Sequence, residues 1–261
     1  MRPFLAGIVA LMFAMTGGAL ADPPKEGVEA DASTRQVAIT SSFTGTEILV
    51  FGTVENSVQP SPEAGTYDII VVVEGQPAPA VVRQKSRVAG IWINTSSMHF
   101  AVVPSYYAIA STRPIDEIAD KAFLDAHRVG FDHIRMAPSG AGDADADATE
   151  TFRQALIRLK EQQRVYVKRD FGVTFIGRSL FRSTIALPPN VPVGPLTARV
   201  YLFKEGKLLG QYESRVSLRR EGVERFLHNF AISQPLVYGM TTVLLAVAAG
   251  LAAALAFRKP A

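Results

Sequence analysis

The chain has 261 residues, a formal net charge of +3 and no cysteine, which excludes disulfides, thiolate metal sites and thiol nucleophiles. Three of the basic residues, Arg2, Arg258 and Lys259, lie close to the two ends, and basic and acidic residues are equal in number in the rest of the chain. A nucleic-acid-binding domain would need an excess of basic residues, so the composition predicts no nucleic-acid partner.

The N-terminus has the three-part pattern of a secretory signal. One basic residue is followed by an apolar run from Phe4 to Met15 and by the small-x-small pattern Ala19-Leu20-Ala21. The apolar run is too short to span a bilayer comfortably. We therefore predict a signal peptide over residues 1–21, with an uncleaved first anchor as the alternative. Residues 22–34 are polar, contain proline and lack periodicity, which predicts a flexible leader.

Short runs rich in β-branched residues follow, separated by glycine, proline, serine and asparagine. This spacing is typical of a mainly β protein built as a sandwich. Four aromatic residues on these runs, Trp92, Phe100, Tyr106 and Tyr107, are expected to fill the core and interfaces rather than to bind a ligand. The predicted strands are 47–54, 67–74, 80–85, 88–94, 99–103, 106–110, 171–176, 180–187, 196–204 and 207–218.

The periodicity changes to that of helices in the middle of the chain. Pro114 begins an apolar pattern typical of an amphipathic helix, and Gly130 is its expected C-terminal stop. The capping pattern that starts at Asp147 predicts a second helix. We therefore predict an immunoglobulin-like antiparallel β-sandwich over residues 35–220 that carries a two-helix insert over about 114–165.

Residues 236–257 contain no charged side chain. As a helix rising about 1.5 Å per residue, this segment matches a hydrocarbon core about 30 Å thick, which predicts a transmembrane helix. Residues 221–235 would then be a juxtamembrane segment, and residues 258–261 a cytoplasmic tail whose Arg258 and Lys259 agree with the positive-inside rule.

The signal and the anchor together predict a single-pass protein of the bacterial inner membrane. Its main domain would be periplasmic and its C-terminus cytoplasmic. Arg219, Arg220 and Arg225 lie on the exported side, against the positive-inside rule, but that rule applies to short loops and long domains are translocated regardless of charge.

The predicted anchor also has a face of small residues. Ala246, Gly250 and Ala254 recur at every fourth position, which places them on one side of a helix. Such a face lets a second transmembrane helix approach closely. We therefore expect these three residues to contact a partner helix, although an alanine-rich segment can also produce this spacing by chance.

Two patterns suggest metal sites, and both are incomplete. Asp143, Asp145 and Asp147 begin like a calcium loop, but glycine and glutamate are missing at its sixth and twelfth positions, so a solvated linker explains them. The pairs His133 with Met136 and Met98 with His99 have ligand types that suit copper, but neither has a recognised spacing. Nucleophile-elbow, phosphate-loop, dinucleotide and zinc-protease motifs are absent from the sequence. The sequence therefore predicts no cofactor, no metal and no catalytic residue.

Seven segments stand out besides the signal pattern and the terminal anchor. They are FTGTEILVFG (43–52), DIIVVVEG (68–75), RVAGIWIN (87–94), YYAIASTRP (106–114), FRQALIRLK (152–160), SLFRSTIALPPNVPVG (179–194) and VYLFKEGKL (200–208). Together these features resemble the alphaproteobacterial putative transmembrane protein family. The resemblance implies no established activity, and it suggests a link to sulfite-exporter-like permeases. We expect a membrane-anchored binding or accessory protein rather than an enzyme, with a periplasmic metal-handling protein or enzyme as the alternative.

Overall fold

The computed structural model describes residues 24–139, 145–221 and 223–256. The predicted signal peptide and cytoplasmic tail lie outside the described residues. Strands and helices are numbered here in chain order within the described parts of the chain.

The protein is mainly β, as predicted, and its strands form three sheets in the described residues. The first sheet has the order β1 (Gly27–Ala32), β3 (Thr46–Glu55), β11 (Leu180–Leu187) and β10 (Val173–Phe175). The second sheet has the order β2 (Gln36–Ile39), β13 (Lys207–Arg220), β12 (Gly194–Lys204), β4 (Asp68–Gly75), β7 (Tyr107–Ser111) and β9 (Tyr166–Arg169). The third sheet has the order β5 (Pro77–Val88), β6 (Ile91–Pro104) and β8 (Ala137–Pro138).

The central strand β4 is buried on both faces, because the second sheet lies between two other layers. Val71 pairs with Ala110 on one side and with Val200 on the other, and paired residues share a face. This face meets the first sheet, since the hydroxyl of Tyr106, which lies on the same side as Ala110, donates a hydrogen bond at 2.8 Å to the carbonyl of Ala186 in β11.

Helices cover the opposite face of the second sheet. They are α1 (Ile115–Ile118), α2 (Lys121–His127) and α3 (Ala146–Gln162). The Phe123 ring of α2 packs edge-on against Tyr201 and Phe203 of β12, at centroid distances of 5.4 and 4.9 Å. The buried side chains of all three layers form one continuous core, and burial of apolar surface is the main stabilising contribution.

The predicted first helix is divided into α1 and α2. Ala119 is extended, with φ −131° and ψ 151°, and the Asp120 side chain accepts a hydrogen bond from the Phe123 amide at 2.8 Å. Asp120 is thus a helix N-cap, which the apolar periodicity did not indicate. α2 then ends at His127, because Arg128 adopts a left-handed conformation before Gly130 is reached.

Two ladders depart from the predicted antiparallel arrangement. β7 runs parallel to β9, and β13 runs parallel to β2. A parallel pair needs a long crossover connection, and the helical insert over residues 112–165 is that connection for β7 and β9. The insert is therefore the crossover that brings β9 beside β7 in the second sheet, and not an extension of a loop between two antiparallel strands.

The predicted flexible leader is wrong for residues 27–32, which form β1 and pair with β3. Val28, Ala30 and Ala32 are buried, while Glu29 is exposed and Asp31 is partly exposed. The alternation of buried and exposed residues over 27–32 is hard to recognise in the sequence, because the inward side chains are small and the outward ones are acidic. The β domain therefore begins before residue 35.

The C-terminal part of the chain is helical. α4 (Val223–Ser233) occupies the predicted juxtamembrane segment, and α5 (Pro235–Ala256) begins one residue before the predicted anchor. Residues 235–254 of α5 have a mean hydropathy of 2.0 and no buried residue, and this helix is long and apolar enough to cross a membrane.

Candidate functional site

The most distinctive surface of the described protein is the hairpin formed by β5 and β6. Its two-residue turn is Ala89-Gly90, with φ 48° and 88°. Positive φ at both positions is the requirement of a type I′ turn, whose twist matches that of the flanking strands. The closing pair is Val88 with Ile91.

The inner half of the hairpin is fixed to the core. Phe100 of β6 and Val82 of β5 are buried, and β8 adds a short third strand opposite Phe100. The hydroxyl of Tyr166 donates a hydrogen bond at 2.9 Å to the carbonyl of Pro104, at the end of β6. These contacts orient the hairpin relative to the second sheet.

The outer half of the hairpin, residues 83–97, stands free of the described domain. Every side chain in it is exposed except Ser86, which is partly exposed. Cross-strand hydrogen bonds join Ser86 to Thr95 at 2.9 Å and Ser96 to Gln84 at 2.9 Å. The outer half is therefore held in register by its own ladder.

Four apolar side chains surround the turn at the tip. Val88 is 46% exposed, Ile91 64%, Trp92 68% and Ile93 41%. Contiguous exposed apolar side chains are a feature of many interaction sites. We call Val88 to Ile93 the hairpin tip.

The charged residues next to the tip in the sequence are all basic. Arg83, Lys85 and Arg87 precede it on β5, and residues 77–104 contain neither aspartate nor glutamate. Arg87 pairs across the ladder with Trp92, and its Nε donates to the Gly90 carbonyl at 3.3 Å. The outer hairpin thus combines an apolar end with positive charge.

An open cleft of about 1000 Å³ separates β5 from α3. Arg83 and Lys85 line the hairpin side of the cleft, and Glu150 and Glu161 line the helix side. The acidic side chains of α3 therefore offset part of the basic charge near the base of the hairpin. Arg87 and the tip lie beyond the lining of the cleft.

Of the two places expected for Trp92, the core is wrong and an interface stays a prediction. Phe100, Tyr106 and Tyr107 are buried, as expected, but Trp92 is among the most exposed apolar side chains. The sequence interpretation placed one strand over residues 88–94, across the true turn. Gly90 could have indicated the turn, since a two-residue pair that ends in glycine between β-rich runs is typical of a hairpin.

The two histidine–methionine pairs that were set aside as copper sites do not converge. Met98 packs against the core while His99 is exposed, because successive strand residues point to opposite faces. His133 instead contacts Asp125, with Nδ1 to Oδ1 at 2.5 Å, and Met136 is buried. Over the described residues there is no cluster of three or more histidine or acidic side chains that could hold a metal.

The acidic segment before α3 acts as a helix cap. The Asp145 carboxylate accepts a hydrogen bond from the Asp147 amide at 3.2 Å, and α3 begins at Ala146. The N-cap is therefore two residues earlier than the Asp147 pattern predicted. Asp143 lies outside the described residues.

The predicted packing face of the anchor is accessible on α5. Ala246, Gly250 and Ala254 are exposed, and a β-carbon on Gly250 would meet no described atom within 4 Å. The rings of Phe226 and Phe230 on α4 and Tyr238 on α5 form a contiguous group, with centroid distances of 5.9 and 5.7 Å. Aromatic residues next to an apolar helix are typical of the membrane interface.

A family model described as "Putative transmembrane protein (Alph_Pro_TM)" matches residues 27–259 of the chain. The matched region includes β1, the hairpin and α5. No curated protein matches the sequence.

Proposed function

The chain belongs to the Alph_Pro_TM family of putative transmembrane proteins, and from that premise we propose that it is a membrane-anchored binding or accessory protein of the bacterial inner membrane. In this proposal α5 spans the membrane and the β domain is periplasmic. The protein recognises a partner at the membrane, such as a permease, and catalyses no reaction.

The observation that carries the proposal is the combination of two surfaces on one chain. α5 is a candidate membrane span, and the outer hairpin presents an apolar tip that no other described part of the protein covers. A scaffold with a rigid core and a projecting loop is suited to recognition. The small-residue face of α5 adds a second contact, inside the membrane.

The buried tyrosines of the core have structural roles. Burial raises the pKa of Tyr106, Tyr107 and Tyr166. Each hydroxyl donates to a backbone carbonyl, that of Ala186, Arg128 or Pro104, at 2.8 to 3.0 Å. These tyrosines therefore join layers of the fold, since satisfied neutral hydroxyls stabilise a core.

The orientation is tested with a reporter enzyme that is active only in the periplasm, fused after Glu221. The fusion should be active. In spheroplasts that contain the full-length, unfused protein, added protease should degrade the β domain and leave a small C-terminal fragment. Protection of the β domain from protease would show that the orientation is wrong.

The binding role is tested by affinity capture of the full-length protein from gently solubilised membranes. The expected result is a defined membrane-protein partner. Elemental analysis of the purified protein is the discriminating measurement, because a stoichiometric bound metal would favour a metal-handling protein or enzyme instead.

A further inference from the structure

We propose that the hairpin tip inserts into the interfacial layer of an anionic lipid bilayer, the same bilayer that α5 spans. This inference rests on the proposed function for the membrane span of α5. In it the hairpin tip contacts lipid, and the contact with a protein partner is left to the small-residue face of α5. Insertion of the tip would give the β domain a second attachment to the membrane and so fix its orientation.

The shape of the tip favours a bilayer over a protein surface. Val88 and Ile91 form one cross-strand pair, and Arg87 and Trp92 form the next. Successive pairs point to opposite faces of a hairpin, so apolar side chains lie on both faces. A bilayer covers an inserted tip from every side, whereas a flat protein surface covers one face only.

The tip is also too small for a stable protein interface by itself. A specific interface buries about 1,200–2,000 Å² in total, and the tip is a single turn with four large apolar side chains. A tip of this size suffices for a membrane contact. Because α5 already holds the domain at the bilayer, binding of the tip costs little further translational entropy.

The charge of the outer hairpin selects an anionic surface. Arg87 lies next to the tip and beyond the cleft, and no aspartate or glutamate lies between residues 77 and 104. Arg83 and Lys85 precede Arg87 on β5 and contribute less, because acidic side chains of α3 line the other side of the cleft. Each basic residue close to an anionic leaflet strengthens association about fivefold. Tryptophan is the residue most suited to the boundary between headgroups and acyl chains.

Backbone hydrogen bonding limits the depth of insertion. Between residues 83 and 97 the described structure shows no third strand beside β5 or β6, so the outer edge of each strand keeps unpaired peptide groups. Such groups are not tolerated in hydrocarbon. We therefore expect insertion of only about 5–10 Å, the depth typical of interfacial segments.

The test uses the intrinsic fluorescence of Trp92, the only tryptophan of the chain. Full-length protein is reconstituted into vesicles of phosphatidylcholine alone or mixed with phosphatidylglycerol. With anionic lipid, the emission should shift to the blue, resist quenching by acrylamide and be quenched by phospholipids brominated on their acyl chains. In phosphatidylcholine alone these effects should be weaker, and added salt should reduce them.

Two variants keep the fluorophore and change the tip. Ile91→Ser with Ile93→Ser should abolish quenching by brominated chains, because the remaining apolar surface is insufficient for insertion. Arg87→Gln should lower the equilibrium constant for insertion about fivefold in anionic vesicles. Arg215→Gln is the matched control, since this side chain is 80% exposed on β13, and it should behave as the unaltered protein.

Equal emission and equal quenching in the two lipid mixtures would overturn the proposal. So would a blue shift without quenching by brominated chains, which would indicate that the tip packs against protein, such as a second copy. The assay does not depend on orientation in the cell or on a partner, so its failure is distinguishable from failure of the proposed function.

Discussion

Arg113 binds the Asp68 carboxylate through two hydrogen bonds, from Nε to Oδ1 at 2.9 Å and from Nη2 to Oδ2 at 2.7 Å. Asp68 is the first residue of β4, and Arg113 follows β7 just before α1. The Thr112 hydroxyl also donates to Oδ1 at 2.9 Å. This pair therefore joins the central strand to the start of the helical insert, and it raises the pKa of Arg113.

Replacement of Arg113 by alanine should destabilise the β domain. The side chain of Asp68 is only 9% exposed, so loss of Arg113 leaves a nearly buried carboxylate without its ion-pair partner. We expect a loss of about 2 kcal/mol, less than for a fully buried pair because 40% of the arginine side chain is exposed. Urea unfolding followed by far-UV circular dichroism measures it.

Glu117→Ala is the matched control, because Glu117 is the other partner of Arg113, at 3.7 Å and 61% exposed. Its removal should cost less than about 0.5 kcal/mol. Equal losses for the two variants would contradict the special role of the Asp68 pair.

The contribution of Asp31 to stability should depend on pH. Hydrogen bonds from Arg35, Ser214 and the Ala32 amide lower the pKa of Asp31 to about 2. A lowered pKa means that the stabilisation is present above the unfolded value of about 4 and is lost as the pH falls towards 2. Asp31→Asn should therefore cost about 1 kcal/mol at neutral pH, after allowance for partial exposure.

The measurement for Asp31 is the free energy of unfolding of both proteins at several pH values. The difference between them should shrink between about pH 4 and pH 2. A difference that stays constant down to pH 2 would show that the carboxylate charge contributes nothing.

Gly52→Ala should be destabilising although alanine is less unfavourable than glycine in a strand. A β-carbon at position 52 would lie 2.5 Å from Cζ of Phe181 and still closer to the carbonyl oxygen of Glu29. Overpacking of this kind costs about 1–3 kcal/mol. Gly177→Ala is the control, since a β-carbon there meets no described atom within 4 Å, and thermal unfolding should separate the two variants clearly.

Gly250→Leu should break the proposed contact of α5 with a partner helix while leaving membrane insertion intact, because leucine adds bulk on the small-residue face and raises hydrophobicity. Ala248→Leu makes a similar change on the opposite face of the helix and should have no effect. Crosslinking in membranes and the set of captured partners are the readouts. If neither differs between Gly250→Leu and the unaltered protein, α5 is a simple anchor.

The sequence by itself determined the features that depend on local composition. The apolar run over residues 236–257 and the β-rich segments around Ile48 and Val71 can be recognised without their neighbours, because hydropathy and period are properties of a short stretch. For the same reason the family resemblance could be stated from short segments, and the family match confirms it.

Only the tertiary structure decided which of those segments meet. β1 is a strand because its small side chains Ala30 and Ala32 fit beside β3, and Trp92 is exposed because no other described element covers the outer hairpin. The parallel pairing of β7 with β9 follows from the path of the helical insert. Local periodicity predicts that a face is apolar, but burial of that face depends on long-range contacts, and these form only when distant parts of the chain pack together.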